Sequence, residues 1–454
     1  METQEKSIVE TISQFIRRSV TLKLISIFIL MLLLMIPMEF VRSLISERDA
    51  LRESAIKEVS DKWANKQYIY GPILTIPYYK QVLEDGKTRI VKEEAHILPS
   101  LLNIEGKVEP QSLYRGIYEV VVYDSKVSFK GSFNGLEKYL AELNQYELLW
   151  NEAFLTINIS DLRGIKDKVE VNWNGMAIPV EPGSKIPAMV NSGITVNNII
   201  MDIPAVNAFE FSFDLHLQGS QYLGFIPLGK ETNVKLSSNW QDPSFSGSFL
   251  PDDRTVDKKG FSATYKILEL NRNYPQFWTG NQHFESMQNS AFGVDLLLPA
   301  NDYQKATRSA KYALLAIALT FLTFFLVEIF NKKRVHPFQY ILIGLSLVLF
   351  YTLLISISEH TNFDLAYTIT SVSVITMIGL YSRAILNNLK QTLLLILVLC
   401  LTYLFVYITL QIQDYALLIG SVGLTTILAL TMYITRKVNW YDLSSIKKGE
   451  SGVD

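Results

Sequence analysis

Cysteine is almost missing from this chain, and so is any excess of charge. The 454 residues include a single cysteine, Cys400, which lies inside an apolar stretch. One cysteine excludes both a disulfide framework and a Cys-based metal cluster. The formal charge is −2 at pH 7, which argues against a nucleic-acid-binding surface. Any large polar domain in this chain must therefore be stabilised by the burial of apolar side chains alone.

The sequence also lacks the common motifs of catalysis and cofactor binding. It contains no Gly-x-Ser-x-Gly elbow, no His-Glu-x-x-His helix, no complete P-loop and no Gly-x-Gly-x-x-Gly fingerprint. Three histidines fall in the polar part of the chain, His96, His216 and His283, and none is paired at metal-ligand spacing. We therefore expect solvated or core histidines, no catalytic residue, no cofactor and no metal site.

Long apolar stretches are what the sequence does contain. A helix needs about 20 apolar residues to cross the hydrocarbon core of a bilayer. Six stretches meet this condition, namely residues 21–41, 310–330, 338–358, 364–382, 391–411 and 414–434. The first stretch is longer than the apolar part of a usual signal peptide, and no small-residue cleavage site follows it. We therefore expect a six-helix transmembrane bundle whose first helix is retained.

The distribution of Lys and Arg in the short loops predicts the orientation of these helices. Basic residues occur before the first stretch and after the second, fourth and sixth, whereas the loops near residues 360 and 413 have none. Basic short loops stay in the cytoplasm. We therefore expect cytoplasmic segments at 1–20 and 435–454, and a periplasmic domain at 42–309 inserted between spans 1 and 2.

The centres of the predicted spans carry hydroxyls and glycines rather than charges. Ion pumps and proton relays need ionisable groups at membrane depth, yet Glu39, Glu328 and Arg383 all fall near span ends. Small residues and hydroxyls at span centres usually serve helix packing. We therefore interpret the spans as a packed anchor, with a transport path as the alternative.

The inserted domain begins with a helical pattern and continues with strands. Apolar residues recur every four positions from Leu51 to Trp63, which predicts that span 1 continues as a stalk helix. Apolar and polar residues then alternate, as over 207–217, and the Asn-Gly pair at 174–175 and the Asp-Gly pair at 85–86 are typical of hairpin turns. This pattern predicts a large, mostly antiparallel β domain.

One helix is expected to interrupt these strands. Asn134 can cap it, with Glu137 three residues later, and an apolar stripe runs through Leu136, Leu140 and Leu143.

Two groups of residues beside the membrane are candidate sites. Lys305, Arg308 and Lys311 recur every three residues before span 2, so they could contact anionic lipid headgroups. The alternative is that they are snorkelling side chains that anchor a helix end. Glu359 and His360, at the outer end of span 3, could couple the domain to the bundle by a charge-assisted contact, or they could form a plain polar helix end.

Several segments, taken in order, resemble the CreD family of bacterial inner-membrane, cell-envelope proteins. The stronger ones are Phe292-Gly-Val294, Tyr303-Gln304, Lys311-Tyr312, His336-Pro-Phe-Gln-Tyr340, Leu349-Phe-Tyr351 and Ser358-Glu-His360. The weaker ones are Tyr70-Gly-Pro72, Arg115-Gly-Ile-Tyr118, Asp161-Leu-Arg-Gly164 and Ser246-Gly-Ser-Phe-Leu-Pro251. The resemblance covers nearly the whole chain. It implies a periplasmic domain on the inner membrane and a link to envelope integrity and to responses to antibiotics that target the cell wall, but it supplies no catalytic residue.

The function expected from these observations is that of a non-enzymatic protein of envelope integrity or envelope-stress response. Besides the lipid bilayer, its partner would be an envelope protein, a wall component or a lipid, bound by the β domain. A transporter subunit for an amphipathic envelope molecule is one alternative, and it would need a lipid-sized cavity between the helices. An envelope hydrolase is the other, and it would need a buried acid–base cluster in a cleft of the β domain.

Overall fold

The computed structural model describes residues 20–84, 87–186, 192–199, 208–296, 302–330, 335–412 and 415–436. The chain divides into two compact units. The membrane unit comprises Met1–Leu51 and Ala300–Asp454, and the β unit comprises Arg52–Pro299.

The helices of the described residues include several that are long and apolar. They are α1 (Val20–Trp63), α2 (Leu136–Ala141), α3 (Phe284–Gln288), α4 (Asp302–Lys311), α5 (Ala313–Phe330), α6 (Pro337–Ser358), α7 (Phe363–Leu386), α8 (Leu389–Gln411) and α9 (Ala416–Thr435). Among the described residues, five helices are long and apolar enough to cross a membrane, and the number rises to six if α4 and α5 together form one bent span. The chain is therefore a membrane protein with five to six apolar helices.

The segment predicted as span 2, residues 310–330, is not one continuous helix. Helix α4 ends at Lys311, α5 begins at Ala313, and the two meet at a bend of 42°. Polar and apolar residues segregate to opposite sides of α4, whereas α5 is apolar throughout. The apolar run at 310–330 therefore gave no sign that an amphipathic helix ends, and a membrane-spanning helix begins, within it.

Short polar residues set the ends of the membrane helices. Asn362 caps α7, since its side chain accepts the N–H of Leu365 at 2.9 Å. Asn387 ends α7 in the left-handed conformation (φ 44°), and Asn388 then caps α8 by accepting the N–H of Lys390 at 3.0 Å. Asparagine tolerates the left-handed region and serves well as an N-cap, which explains the abrupt turn between these two helices.

The β unit is built from two large sheets. Its strands are β1 (Gln67–Glu84), β2 (Lys87–Ile97), β3 (Leu101–Arg115), β4 (Tyr118–Asn134), β5 (Glu147–Leu148), β6 (Phe154–Ile159), β7 (Glu170–Trp173), β8 (Met176–Pro179), β9 (Glu181–Pro182), β10 (Gly193–Val196), β11 (Ala208–Ser220), β12 (Tyr222–Phe225), β13 (Glu231–Ser238), β14 (Pro243–Gly247), β15 (Asp253–Asp257), β16 (Gly260–Leu268), β17 (Phe277–Thr279) and β18 (Phe292–Leu296).

The order of strands makes both sheets mixed rather than purely antiparallel. The ten-stranded sheet has the order β14-β18-β12-β1-β6-β10-β9, with β2 and β5 on β1 and β17 on β2. The eight-stranded sheet has the order β15-β16-β13-β3-β4-β11-β7-β8. The pairs β1–β12 and β3–β13 are parallel, whereas long neighbouring pairs such as β3–β4 and β4–β11 are antiparallel.

Both sheets contribute to one apolar core. The predicted alternation holds along β11, where every second residue from Phe209 to Leu217 is buried. The ring of Phe213 stacks on that of Phe129 with centroids 4.6 Å apart. From the ten-stranded sheet, Phe225 and Phe292 join the same cluster. Because no disulfide is available, this burial stabilises the unit, at roughly 25 cal/mol per Å² of apolar surface removed from water.

The predicted hairpin at 174–175 is confirmed. Trp173 of β7 pairs with Met176 of β8, and Asn174 and Gly175 have φ of 48° and 84° between them. Positive φ at both turn positions is what the twist of a two-residue hairpin requires. The Asp-Gly pair at 85–86 lies outside the described residues.

The predicted capping of the interrupting helix is wrong. Helix α2 covers only Leu136–Ala141, and its N-cap is Gly135, which makes no side-chain cap bond. Asn134 is instead the last residue of β4, where it pairs with Ala208. Sheet pairing therefore outweighed the local capping preference.

The first helix continues well past its apolar part, because α1 runs without a break to Trp63. Within the β unit its last turns pack against two strands. Ile56 clusters with Val120 and Val122 of β4, and Val59 and Trp63 of α1 pack alongside, together with Leu113 of β3.

Candidate functional site

The outer face of the eight-stranded sheet carries an open depression of about 670 Å³. Alternate residues of β13, β3, β4 and β11 point outward there, because successive side chains of a strand lie on opposite faces. The polar residues that line it are Glu105, Lys107, Lys126, Ser128, Asp167, Lys168, Asp214, His216, Lys235 and Ser237. The inward residues between them belong to the apolar core.

Three basic side chains form a row across this depression. Lys107 of β3 is opposite Lys126 of β4, and Lys126 is opposite His216 of β11. Residues directly opposite one another have Cβ atoms about 5 Å apart. We call these three residues the cationic row.

His216 is held between two carboxylates. Its Nδ1 lies 2.8 Å from an Asp167 oxygen, and its Nε2 bonds to Asp124. Hydrogen bonding to Asp167, followed by the contribution of Asp124, raises the pKa of the imidazole above its ordinary value. Both ring nitrogens then donate, so the group is favoured as an imidazolium without a lone pair to take up a proton. This arrangement suits binding better than general base catalysis.

The remaining members of the cationic row differ in their partners. The Lys107 ammonium lies 2.6 Å from the Glu109 carboxylate. Lys126 has no ion pair or hydrogen bond from its side chain to any other described residue, and neither has Lys235. The depression thus contains two ammonium groups that form no direct ion pair with a described residue, although the Glu109 carboxylate attracts that of Lys126 at longer range.

The other two histidines lie elsewhere. His96 is fully buried in the ten-stranded sheet, where its Nδ1 lies 3.0 Å from the Thr75 hydroxyl oxygen. Its ring and that of His283 both contact Trp278, with centroids 5.3 and 6.0 Å away. Within the described residues no three His, Cys, Asp or Glu side chains are grouped so as to hold a metal ion.

The alternating pattern predicted that His216 lies on a solvent-exposed strand face, but it did not predict that Asp124 and Asp167 lie beside it. Asp124 lies 92 residues and Asp167 49 residues away along the chain. Alternation predicts the face of a strand and not which strand lies beside it. No local signal could therefore have joined the three residues.

The partial match to a P-loop at Gly224–Lys230 has no matching structure. It is followed by Glu231 rather than Ser or Thr, and it starts within β12 and ends just before β13. A P-loop must open a helix whose N-terminus binds phosphate, so this segment is not one.

In the membrane unit, α4 places the basic candidates on one side. Tyr303, Ala306 and Ala310 are buried, whereas Lys305 and Arg308 are partly exposed and Lys311 is exposed, on the opposite side of the helix. The Lys305 ammonium lies 5.3 Å from the centre of the Phe363 ring. The helix is therefore amphipathic, as an interfacial helix would be.

Glu359 and His360 differ in their contacts. The Glu359 carboxylate accepts the Tyr303 hydroxyl at 3.1 Å and lies 3.7 Å from Arg48, so it joins α1, α4 and the end of α6. These contacts are all inside the membrane unit. His360 is exposed, and its predicted coupling role stays a prediction.

A buried ion pair at the other end of the membrane helices escaped the sequence analysis. Glu328, which is 6% exposed, pairs with Lys23 of α1. Its carboxylate also accepts the Val335 N–H at 3.1 Å and the Tyr340 hydroxyl at 3.3 Å. The group joins α1, α5 and α6, and its hydrogen bonds compensate the burial of a charge.

Many hydroxyls inside the spans bond to their own helix. Thr320, Thr370 and Ser382 each donate to the carbonyl four residues earlier, at 2.6–2.7 Å. A hydroxyl engaged in this way is satisfied without a substrate or a water chain, which favours the packing interpretation.

Comparison with known proteins identifies a family. A family model described as "Inner membrane protein CreD" matches residues 19–441. The protein named "Inner membrane protein CreD" from Escherichia coli (strain K12) is 34% identical over 429 residues, which cover 93% of this chain and 94% of that protein.

Proposed function

The chain belongs to the CreD family of inner membrane proteins, and from that premise we propose that it maintains envelope integrity without catalysis. In this proposal it acts in the envelope-stress response. Its β unit is periplasmic and binds an envelope partner protein, a wall component or a lipid. The membrane helices hold that unit at the inner membrane.

The proposed topology has six spans, with both termini in the cytoplasm and residues 42–309 outside between spans 1 and 2. The bent pair α4–α5 supplies the sixth span. An even number of spans returns the chain to the side on which it began. The short loops that carry Lys and Arg then all lie in the cytoplasm, in agreement with the positive-inside rule.

The observation that carries the binding proposal is the depression on the eight-stranded sheet. Two of its ammonium groups, those of Lys126 and Lys235, form no ion pair with a described residue, while its one histidine is engaged at both nitrogens. A hydrolase of the usual kind needs a base with a free lone pair beside a nucleophile. The charges of this face therefore support recognition of a ligand rather than its cleavage.

The membrane unit supports an anchoring role. The span hydroxyls with bonds to their own helices are not available to line a polar path. The buried Lys23–Glu328 pair joins three helices and compensates its own charges. Both features are those of a packed bundle.

Crosslinking in living cells tests the binding proposal. A photoreactive amino acid is placed at Ser128 or Ser237 in the depression, and at Glu142 or Asn281 as exposed controls elsewhere on the β unit. We expect the same envelope component, identified by mass, from both face positions and not from the controls. Equal capture from the controls, or no capture from the face, would contradict the proposal.

A further inference from the structure

Without a bound ligand, the positive charges of the cationic row repel one another. Its three members lie directly opposite one another on adjacent strands, and like charges in this position destabilise a sheet. His216 and Lys107 form ion pairs with carboxylates, but Lys126, in the middle of the row, forms no ion pair or hydrogen bond with a described residue and is attracted by Glu109 at longer range. An anion placed over Lys126 would remove this repulsion.

A second row beside the first consists of hydrogen-bonding oxygens. Two residues further along the same strands, Glu105 is opposite Ser128, and Ser128 is opposite Asp214. We call these three residues the acceptor row. Two residues of a strand span about 7 Å. Carboxylates would repel a second anionic group, but they accept hydrogen bonds from hydroxyl groups.

The residue types that line the depression restrict which chemical groups the ligand can carry. None of the described residues that line the depression is an arginine, a phenylalanine, a tyrosine or a tryptophan. Arginine binds carboxylate and phosphate alike through its planar pair of N–H groups, whereas lysine binds phosphate as a point charge. The apolar residues Val127 and Leu215 at this place belong to the buried core, so these two side chains offer no surface to an acyl chain.

We propose that this face binds a polyol phosphate, meaning the phosphate-bearing sugar or glycerol group of an envelope molecule. The phosphate lies over the cationic row, and hydroxyl groups about 7 Å away donate to the acceptor row. This inference rests on the proposed function and names the class of ligand. The depression of about 670 Å³ is large enough for a sugar phosphate and much larger than one phosphate ion.

Equilibrium binding to the purified full chain in zwitterionic nanodiscs tests this proposal, with glucose 1-phosphate, inorganic phosphate and glucose as probes. We expect glucose 1-phosphate to bind more tightly than inorganic phosphate, and glucose not to bind. Lys126→Gln should weaken both phosphates roughly tenfold, as expected for one charge-assisted contact. Asp214→Asn should weaken glucose 1-phosphate alone.

Lys130→Gln is the matched control. Lys130 is exposed on the same strand as Lys126 but does not line the depression. The variant should bind all probes like the wild type. Because Lys126→Gln removes a repulsion, its melting temperature without ligand should equal or exceed that of the wild type. A lower melting temperature would contradict the repulsion on which the proposal is based.

Binding should also depend on pH. His216 faces Asp124 and Asp167, which pair with it, Lys126 on the neighbouring strand, and Asp214 on its own strand. Its raised pKa keeps it charged at lower pH, so affinity for the phosphate should fall as the pH rises through that pKa. In His216→Gln this fall should be absent.

Two results would overturn the proposal. One is equal affinity of the wild type and Lys126→Gln for glucose 1-phosphate, and the other is an equal loss in Lys130→Gln. If inorganic phosphate and glucose 1-phosphate bind with equal affinity, the sugar hydroxyls contribute nothing, and the proposal that the ligand is a polyol is wrong. If crosslinking captures a component without phosphate, the ligand class is wrong while the proposed function stands; no capture contradicts the proposed function itself.

Discussion

At the scale of single residues, burial separates histidines that look alike in the sequence. His96 is fully buried, and its Nε2 has no hydrogen-bond partner among the described residues. Removal from water disfavours the charged form, and burial lowers the pKa of this imidazole to about 4. The residue is therefore neutral in the folded protein at any pH above that value.

This buried histidine predicts a loss of stability in acid. The unfolded chain takes up the proton near pH 6.5 and the folded chain only near pH 4. The stabilisation is therefore complete above about pH 6.5 and is lost as the pH falls toward 4, by roughly 3 kcal/mol at most. Urea unfolding of the full chain, followed by tryptophan fluorescence, should show this loss between those two pH values.

The matched variants for this prediction are His96→Gln and His283→Gln. His96→Gln should be less stable overall, with a flatter dependence of stability on pH between 6.5 and 4. His283→Gln should keep the wild-type dependence, because that residue is only partly buried. The reverse pattern would show that another group titrates. Asp161, whose pKa the Arg163 hydrogen bond lowers to about 2, loses its contribution only at still lower pH.

The sequence could show that the histidines lack metal-ligand spacing, but not how they differ. Alternation placed His216 on an outer face, and this was confirmed. The pKa of His96 is lowered by its burial and that of His216 is raised by Asp124 and Asp167, and both environments are built by segments far away along the chain. Such partners are set by strand order, which a single sequence does not reveal.

At the scale of elements, the three-residue spacing of the basic residues in α4 determines which side of the helix they occupy. The helix turns about 100° per residue, so Lys305, Arg308 and Lys311 cover a broad side. Ala306 and Ala310, on the opposite side, are buried. The bend of 42° at Tyr312 separates this helix from the apolar α5. An amphipathic helix with a basic side beside a span fits the surface of an anionic leaflet.

Replacement of Lys305, Arg308 and Lys311 by Gln tests this contact with lipid. Each basic residue near an anionic surface contributes about 1 kcal/mol, so the triple variant should retain clearly less anionic lipid during purification. The neutral variant Gln304→Ala/Thr307→Ala, changed at two exposed positions of the same helix, should retain the wild-type amount. Unchanged lipid in the triple variant would leave snorkelling as the role of these side chains.

The elements that the sequence predicted well are those with a long, regular pattern. The alternation of β11 and the hairpin at 174–175 were confirmed because one face of a strand is buried and the turn needs positive φ. The cap at Asn134 was wrong because the residue is paired in the sheet. Local signals failed where a contact distant in sequence competed with them.

At the scale of the whole molecule, the sequence predicted a membrane protein with a large β-rich part, and the family assignment agrees with this. It did not predict the order of strands in the two sheets. The parallel pairing of β3 with β13 joins residues 130 positions apart, as at Leu101 and Glu231. Nothing in either strand specifies that neighbour. The charged depression depends on this order, since β13 and β3 form one side of it.

The topology of the whole chain gives the last prediction. In a Cys400→Ser background, single cysteines are introduced at Asp253 and Thr361, which the proposed topology places outside, and at Lys333 and Lys390, which it places in the cytoplasm. Lys333 lies outside the described residues, and the other three are exposed. An impermeant thiol reagent added to spheroplasts should label the first two positions and not the last two, because basic short loops stay in the cytoplasm.

Permeabilised cells, in which all four should react, are the control for reactivity. Labelling at 333 and 390 with protection at 253 and 361 would reverse the orientation, and it would move the charged depression away from any periplasmic ligand.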